Sequence, residues 1–219
     1  MKKYFSIFVL SALSAYSVQA ADTEQQLRKR DRVQLPVLKI LPTQDGAAGA
    51  ELVMLLDIDE QGRVKRRVWQ EGKSGNPALR RQAVADAGQP QFTPPKLCEM
   101  AEDGQTVCKP VKSYAEYVYW FYGPGDNRAG KAYVLPAPHY PAASADEDEE
   151  GTVRIAVHVS PEGKVVSAKV LSDSQMENRP FRLERAARKA ALEGIYLPAI
   201  RGGQPVDTTF SIPFTFTFE

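Results

Sequence analysis

Cys98 and Cys108 are the only cysteines of the chain, and they bracket the acidic turn Glu102-Asp103-Gly104-Gln105. An Asp-Gly step at a hairpin tip would bring the flanking residues together, so the pair reads as a structural disulfide. Closing so short a loop removes unfolded-state entropy worth roughly 2–3 kcal/mol in the chain-entropy model. Two competing chemistries use cysteine pairs. A metal site would need further ligands nearby, and the only histidines are His139 and His158. A redox pair is more typically C-x-x-C.

The other candidate motifs are weaker. Gly72-Lys73-Ser74 has the ending of a phosphate-binding loop, but Arg67 stands where the first glycine belongs and no buried parallel strand precedes it. Asp57, Asp59 and Gly62 imitate the opening of a calcium loop, yet Val68 occupies the position that needs glutamate. Asp146-Glu147-Asp148-Glu149-Glu150 reads as a solvated loop of like charges, with calcium or a basic partner as the alternative. His158 falls on the polar face of a strand, and no carboxylate or serine can be assigned to it. The sequence assigns no catalytic residue, cofactor or metal site, and the chain is not read as an enzyme.

Of the 219 residues, 28 are Lys or Arg and 27 are Asp or Glu, a near balance that gives no electrostatic reason to expect nucleic acid. A hydrophobic share of 43% argues against a disordered acidic tail, and a mean hydropathy of -0.36 argues against a polytopic membrane protein. Lys2 and Lys3 precede the apolar stretch Tyr4 to Ala15, with Val18 and Ala20 as the small residues of a cleavage site. Ser6, Ser11 and Ser14 interrupt that stretch short of the ~20 residues a spanning helix needs. Residues 1–20 therefore read as a signal peptide, with an uncleaved membrane anchor as the alternative. Cleavage predicts an exported chain, and no second apolar stretch of spanning length follows. Residues 21–35 form a leader whose charged run, Arg28-Lys29-Arg30-Asp31-Arg32, reads as a solvated face or mobile segment rather than a binding arm.

The elements that must position any site repeat. Val153, Ile155, Val157 and Val159 alternate with polar or small residues as a half-buried strand; Pro161 to Lys164 turns the chain, and Val165 to Leu171 returns. Pro180 suits the first turn of a helix whose apolar stripe is Leu183, Ala186, Ala187, Ala190 and Ala191. Phe210 to Phe218 alternates aromatic and hydroxyl residues as a third strand, and Pro213, lacking a ladder donor, favours an edge. In the first half, Leu52, Met54, Leu56 and Ile58 alternate before Gly62, as their counterparts do before Gly163. Asn76-Pro77 starts a helix with the stripe Leu79, Ala83 and Ala87, Gly88 ends it, and Tyr114 to Phe121 closes as a strand. The expectation is α+β: a tandem pair of small β-β-α-β units, each a three-stranded antiparallel sheet on one helix. The units span residues 36–122 and 136–219, separated by a turn-rich linker at 123–135.

Residues 138–219 resemble the C-terminal domain of TonB, the periplasmic energy transducer of Gram-negative bacteria. The resemblance rests on Pro138-His139-Tyr140-Pro141, on Gly151 to Val159, on Gly163-Lys164-Val165, on Leu183 with Ala186-Ala187, and on Tyr196-Leu197-Pro198-Ala199. Gly203-Gln204-Pro205-Val206 and Pro213 to Phe216 complete it. The first unit resembles a degenerate copy with an inserted cysteine hairpin. The resemblance implies a periplasmic, non-enzymatic protein that lends a sheet edge to a short segment of outer-membrane receptors, with backbone hydrogen bonds supplying much of the contact. By position, the implied contacts are His139, Tyr140, Pro141, Phe210, Ile212, Phe214, Phe216 and Phe218. His139 stands where the family often has glutamine, and the aromatic side chains read equally as core. The coupling histidine and proline-rich spacer of a full transducer have no counterpart in residues 1–35. The expectation is thus a module that binds a protein or peptide partner in the envelope. The alternatives are a membrane-anchored transducer and an assembly factor that forms a homodimer by strand exchange through Phe210 to Phe218.

Overall fold

The computed structural model describes residues 24–73, 75–101, 103–171, 175–176 and 181–217. The signal-peptide stretch, Pro180 and Phe218 lie outside them. The chain divides into two units, one holding the residues up to Val37 with Glu51–Tyr119, the other Leu38–Ala50 with Trp120 onward.

The described chain opens on helical residues 24–28; after them, in chain order, come β1 (Val37–Pro42), β2 (Glu51–Ile58), β3 (Val64–Trp69), α1 (Pro77–Ala87), β4 (Lys96–Met100), β5 (Thr106–Pro110) and β6 (Ser113–Tyr122). The sheet order is β1-β6-β2-β3. β2 pairs antiparallel with β3 through Met54–Trp69 and Leu56–Arg67. The turn between them is set by Asp59, whose carboxylate accepts the N–H groups of Gln61 at 3.0 Å and Arg63 at 2.9 Å, and by Gly62 at φ 79°. A Cβ on Gly62 would lie 1.9 Å from the Phe92 carbonyl oxygen. Gly62→Ala should therefore cost about 1–3 kcal/mol, since backbone must shift in a conformation alanine avoids. An unchanged urea midpoint would contradict this.

The Asn76 side chain accepts the Leu79 N–H at 2.9 Å, Pro77 begins α1 and Gly88, at φ 58°, closes it. Leu79 and Ala83 are buried, and the buried Tyr119 hydroxyl donates to the Ala83 carbonyl at 2.9 Å. One expectation fails here. β2 is not half-buried, because Val53 and Leu55 are as fully buried as Leu52, Met54 and Leu56. On that second face Arg30 reaches Asp57, beyond Leu55, at 2.7 Å, and Leu27, three residues before Arg30, is fully buried. The charged run is thus tethered by ion pairs from Arg28, Arg30 and Arg32, while all of its residues but Arg30 stay exposed, as a solvated face would. Between α1 and β6, β4 and β5 form a hairpin whose strand residues are all exposed. Cys98 lies directly opposite Cys108 and is bonded to it, so a covalent link stands where a core would otherwise hold the two strands.

The later elements are β7 (Lys131–Val134), α2 (Ala142–Asp146), β8 (Gly151–Val159), β9 (Val165–Val170), β10 (Gln175–Met176), α3 (Phe181–Leu192), β11 (Ile195–Leu197), β12 (Ala199–Arg201), β13 (Gln204–Val206) and β14 (Thr208–Phe216). β8 is central, with β9 and β10 along one side and β14 along the other, all antiparallel. Val153, Ile155, Val157 and Val159 are fully buried. They form one core with Leu183, Ala187, Ala190 and Ala191 of α3 and with Tyr196, Phe214 and Phe216. Burial pushes the Tyr196 hydroxyl pKa up to about 12.

The stretch read as a linker contains β7, which pairs with β11. Arg128 exchanges backbone hydrogen bonds with Ile200 at 3.0 and 2.9 Å, and its guanidinium lies 4.1 Å from the Trp120 ring centroid. Gly123 to Gly130 turns the chain inside the second unit. Turn residues look the same in a linker and in a docked loop, and the partners that dock this one lie far along the sequence.

Candidate partner-binding edge

Proline in β14 fixes which way its backbone faces. The register pairs Pro213 with Arg154, and the Arg154 carbonyl accepts the Leu171 N–H at 2.8 Å on the opposite side of β8. Arg154 therefore turns its backbone toward the β9 side. In an antiparallel ladder these directions alternate, so Pro213 and, two residues apart, Thr209, Ser211 and Thr215 turn theirs away from β8. Pro213 thus forfeits no ladder bond. The outer side of β14 offers three N–H donors, from Thr209, Ser211 and Thr215, and four carbonyl acceptors. Among the described residues no strand pairs with it.

Side chains divide the same strand by face. Thr209, Ser211, Pro213 and Thr215 are exposed, Phe210 and Ile212 are half-buried, and Phe214 and Phe216 are buried. Cross-strand contacts brace the exposed face, with Thr152 and Thr215 hydroxyls 3.2 Å apart and Thr209 Oγ1 3.4 Å from His158 Nδ1. His158 Nε2 also lies 3.2 Å from Asp207 Oδ1, a carboxylate partner that its sequence position did not reveal. This group sits on an open sheet face.

The residues implied by resemblance do not form one surface. Phe214 and Phe216 are core. Tyr140 is half-buried, stacks edge-on against Phe216 at 5.5 Å and donates its hydroxyl to the Glu149 carbonyl. His139 is exposed and, with Ala137 and Pro141, lines a 380 Å³ groove along α3 beside Arg185 and Lys189. The acidic run is not simply a solvated loop of like charges. Arg182 meets Glu147 at 2.7 Å and Glu149 at 3.3 Å, and its hydrogen bond holds the Glu147 carboxyl below its usual range. The sequence reading missed Thr209, Ser211 and Thr215, although Pro213 carried the signal: the residues that share its phase share its outward backbone.

The calcium-like aspartates are held by arginines. Asp57 receives Arg30 at 2.7 Å and Arg66 at 2.8 Å, and Asp59 receives Arg63 at 2.9 Å. Among the described residues no helix is long and apolar enough to cross a membrane.

The family model that matches is that of the Gram-negative bacterial TonB protein C-terminal, over residues 136–218. Protein TonB of Neisseria meningitidis serogroup C is 47% identical over 60 residues, 27% of this chain and 20% of that protein. Protein TonB of Neisseria gonorrhoeae is 48% identical over the same shares. Protein tonB2 of Pseudomonas aeruginosa is 37% identical over 81 residues, 37% of this chain and 28% of that protein. The chain thus spans only a fifth to somewhat over a quarter of the length of these relatives. A solution structure of the Pseudomonas aeruginosa TonB CTD is 24% identical, with a TM-score of 0.34, covering 45% of this chain and 95% of that one. The resemblance carried by Pro138 to Phe216 is accordingly a family match: residues 136–218 match the TonB C-terminal family model.

Proposed function

We propose that this chain is an exported periplasmic, non-enzymatic module that captures an extended segment of an envelope protein by adding it as a strand to the outer side of β14. The observation that carries this reading is the row of outward backbone donors and acceptors on β14, beside which no strand lies among the described residues. The family match over residues 136–218 supports an outer-membrane receptor segment as the partner and a link to TonB-dependent transport. Export rests on the signal-peptide pattern of residues 1–20.

We also read the two units as copies of one β-β-α-β plan. The first has the order β3-β2-β6 with α1 between β3 and β6, and the second has β9-β8-β14 with α3 between β9 and β14. The test of the binding reading is a titration of isotope-labelled protein with synthetic N-terminal segments of outer-membrane receptors. Saturable shifts at the Thr209, Ser211 and Thr215 amides are expected. Shifts confined to the α3 groove, or none, would overturn it, and concentration-dependent shifts at the same amides without peptide would favour the homodimer.

A further inference from the structure

In the first unit the strand corresponding to β14 under that reading is β6, and its outer side is filled. Tyr114 donates its N–H to the Asp31 carbonyl at 3.1 Å and accepts the Val33 N–H at 3.0 Å. One residue bonded to two that flank its neighbour is the pattern of a parallel ladder, and Arg32 and Tyr114 form a parallel bridge.

Charge fixes the segment as well. Glu116 has a side chain only 5% exposed, and its Oε2 lies 3.4 Å from Arg28 and 3.9 Å from Arg32. Asp57, 13% exposed, takes Arg30 at 2.7 Å. Carboxylates so withdrawn from water need cations; Glu116 takes Arg28 and Arg32, and Asp57 takes Arg30 beside Arg66 of β3 at 2.8 Å, so every second residue of one short run is used. Leu27 adds a fully buried anchor.

We propose that the N-terminal half of β6 is a receptor for a basic segment of the pattern Arg-x-Arg-x-Arg, and that its resident occupant is residues 24–33 of this chain. While the segment stays, the first unit offers no free strand edge there, so the intact chain takes one partner strand, on β14. This last consequence rests on the strand-addition reading of β14; the receptor itself does not.

The segment leaves β6 at Gln34 and Leu35, both exposed, Leu35 by 56%. A protease recognition site inserted after Gln34 in the full chain allows residues up to 34 to be cut from the folded protein. The cut fragment is expected to remain bound in native mass spectra and to exchange one-for-one with a fluorescent synthetic peptide of residues 24–34. The same peptide with Arg28, Arg30 and Arg32 changed to Glu should bind about 100-fold more weakly, because three ion pairs become three repulsions. Uncut protein should bind neither peptide.

The proposal is overturned if the fragment departs and the folded remainder does not rebind the peptide, if the charge-reversed peptide binds as well, or if uncut protein binds equally. A receptor peptide that finds one site before the cut and two after removal of the fragment would support it further. Because the β14 titration reads different amides, failure at β6 and failure at β14 are separately visible.

Discussion

Replacing Ser211 with proline is expected to weaken capture of a partner strand by on the order of 10–100-fold while leaving the second unit folded. The Ser211 N–H points away from β8, in phase with Pro213. The substitution therefore removes an outward donor and places a ring where an incoming strand must sit, without breaking a bond to β8. A lost hydrogen bond contributes roughly 0.5–1.5 kcal/mol, and the ring also excludes the neighbouring backbone. Pro213 shows that this phase of the strand accommodates proline, so the stability cost should be about 1 kcal/mol or less. Ile212→Pro is the opposite control, because Ile212 faces Ile155 across the bonded side of the ladder, and its loss should melt β14. Calorimetric titration with a receptor peptide, beside circular dichroism, reads both effects. Wild-type affinity in a folded Ser211→Pro protein would sink the edge model.

Phe216→Ala should be the most damaging substitution in the second unit. Phe216 is 2% exposed, belongs to the core with Val153 and Leu183, and meets Tyr140 edge-on at 84°. Truncating a buried phenylalanine costs about 3–5 kcal/mol, and the lost aromatic pair adds roughly 0.5–1.5 kcal/mol. For a unit of this size the midpoint of thermal unfolding should fall by roughly 15–30 °C. Tyr140→Phe keeps the ring contact and loses only the hydroxyl bond to Glu149, so about 1 kcal/mol is expected. A Phe216→Ala midpoint within about 3 °C of wild type would mean that the C-terminal aromatics are not core. Because Phe214 and Phe216 are both buried, proline at either position should cost the fold before it cost partner capture.

Periodicity alone placed the second unit's central hairpin, helix stripe and edge strand, because each depends on residues near one another in sequence. Val153 to Val159 alternates with the pleat, Leu183 to Ala191 follows the helical turn, and Pro213 can stand in a strand only where its missing donor faces outward. The cysteine pair was likewise local, joined across a turn it encloses.

Tertiary structure decided what covers each face. Leu52 to Ile58 reads as an alternating strand, yet both its faces are buried, because Leu27 is buried with it and Arg30 reaches Asp57 from 27 residues away. The run Arg28 to Arg32 carries no mark in its own composition that distinguishes a solvated stretch from a docked one. Its docking depends on Glu116, 88 residues beyond Arg28, while Arg28, Lys29, Asp31 and Arg32 themselves stay exposed. The aromatic alternation of Phe210 to Phe216 could not tell a binding surface from a core, since the same side chains serve either. Only the pairing of Pro213 with Arg154, and of the Arg154 carbonyl with Leu171, turned the phenylalanines inward and left the backbone of Thr209, Ser211 and Thr215 facing out. Spacing sets which residues share a face, and long-range pairing sets which face meets solvent.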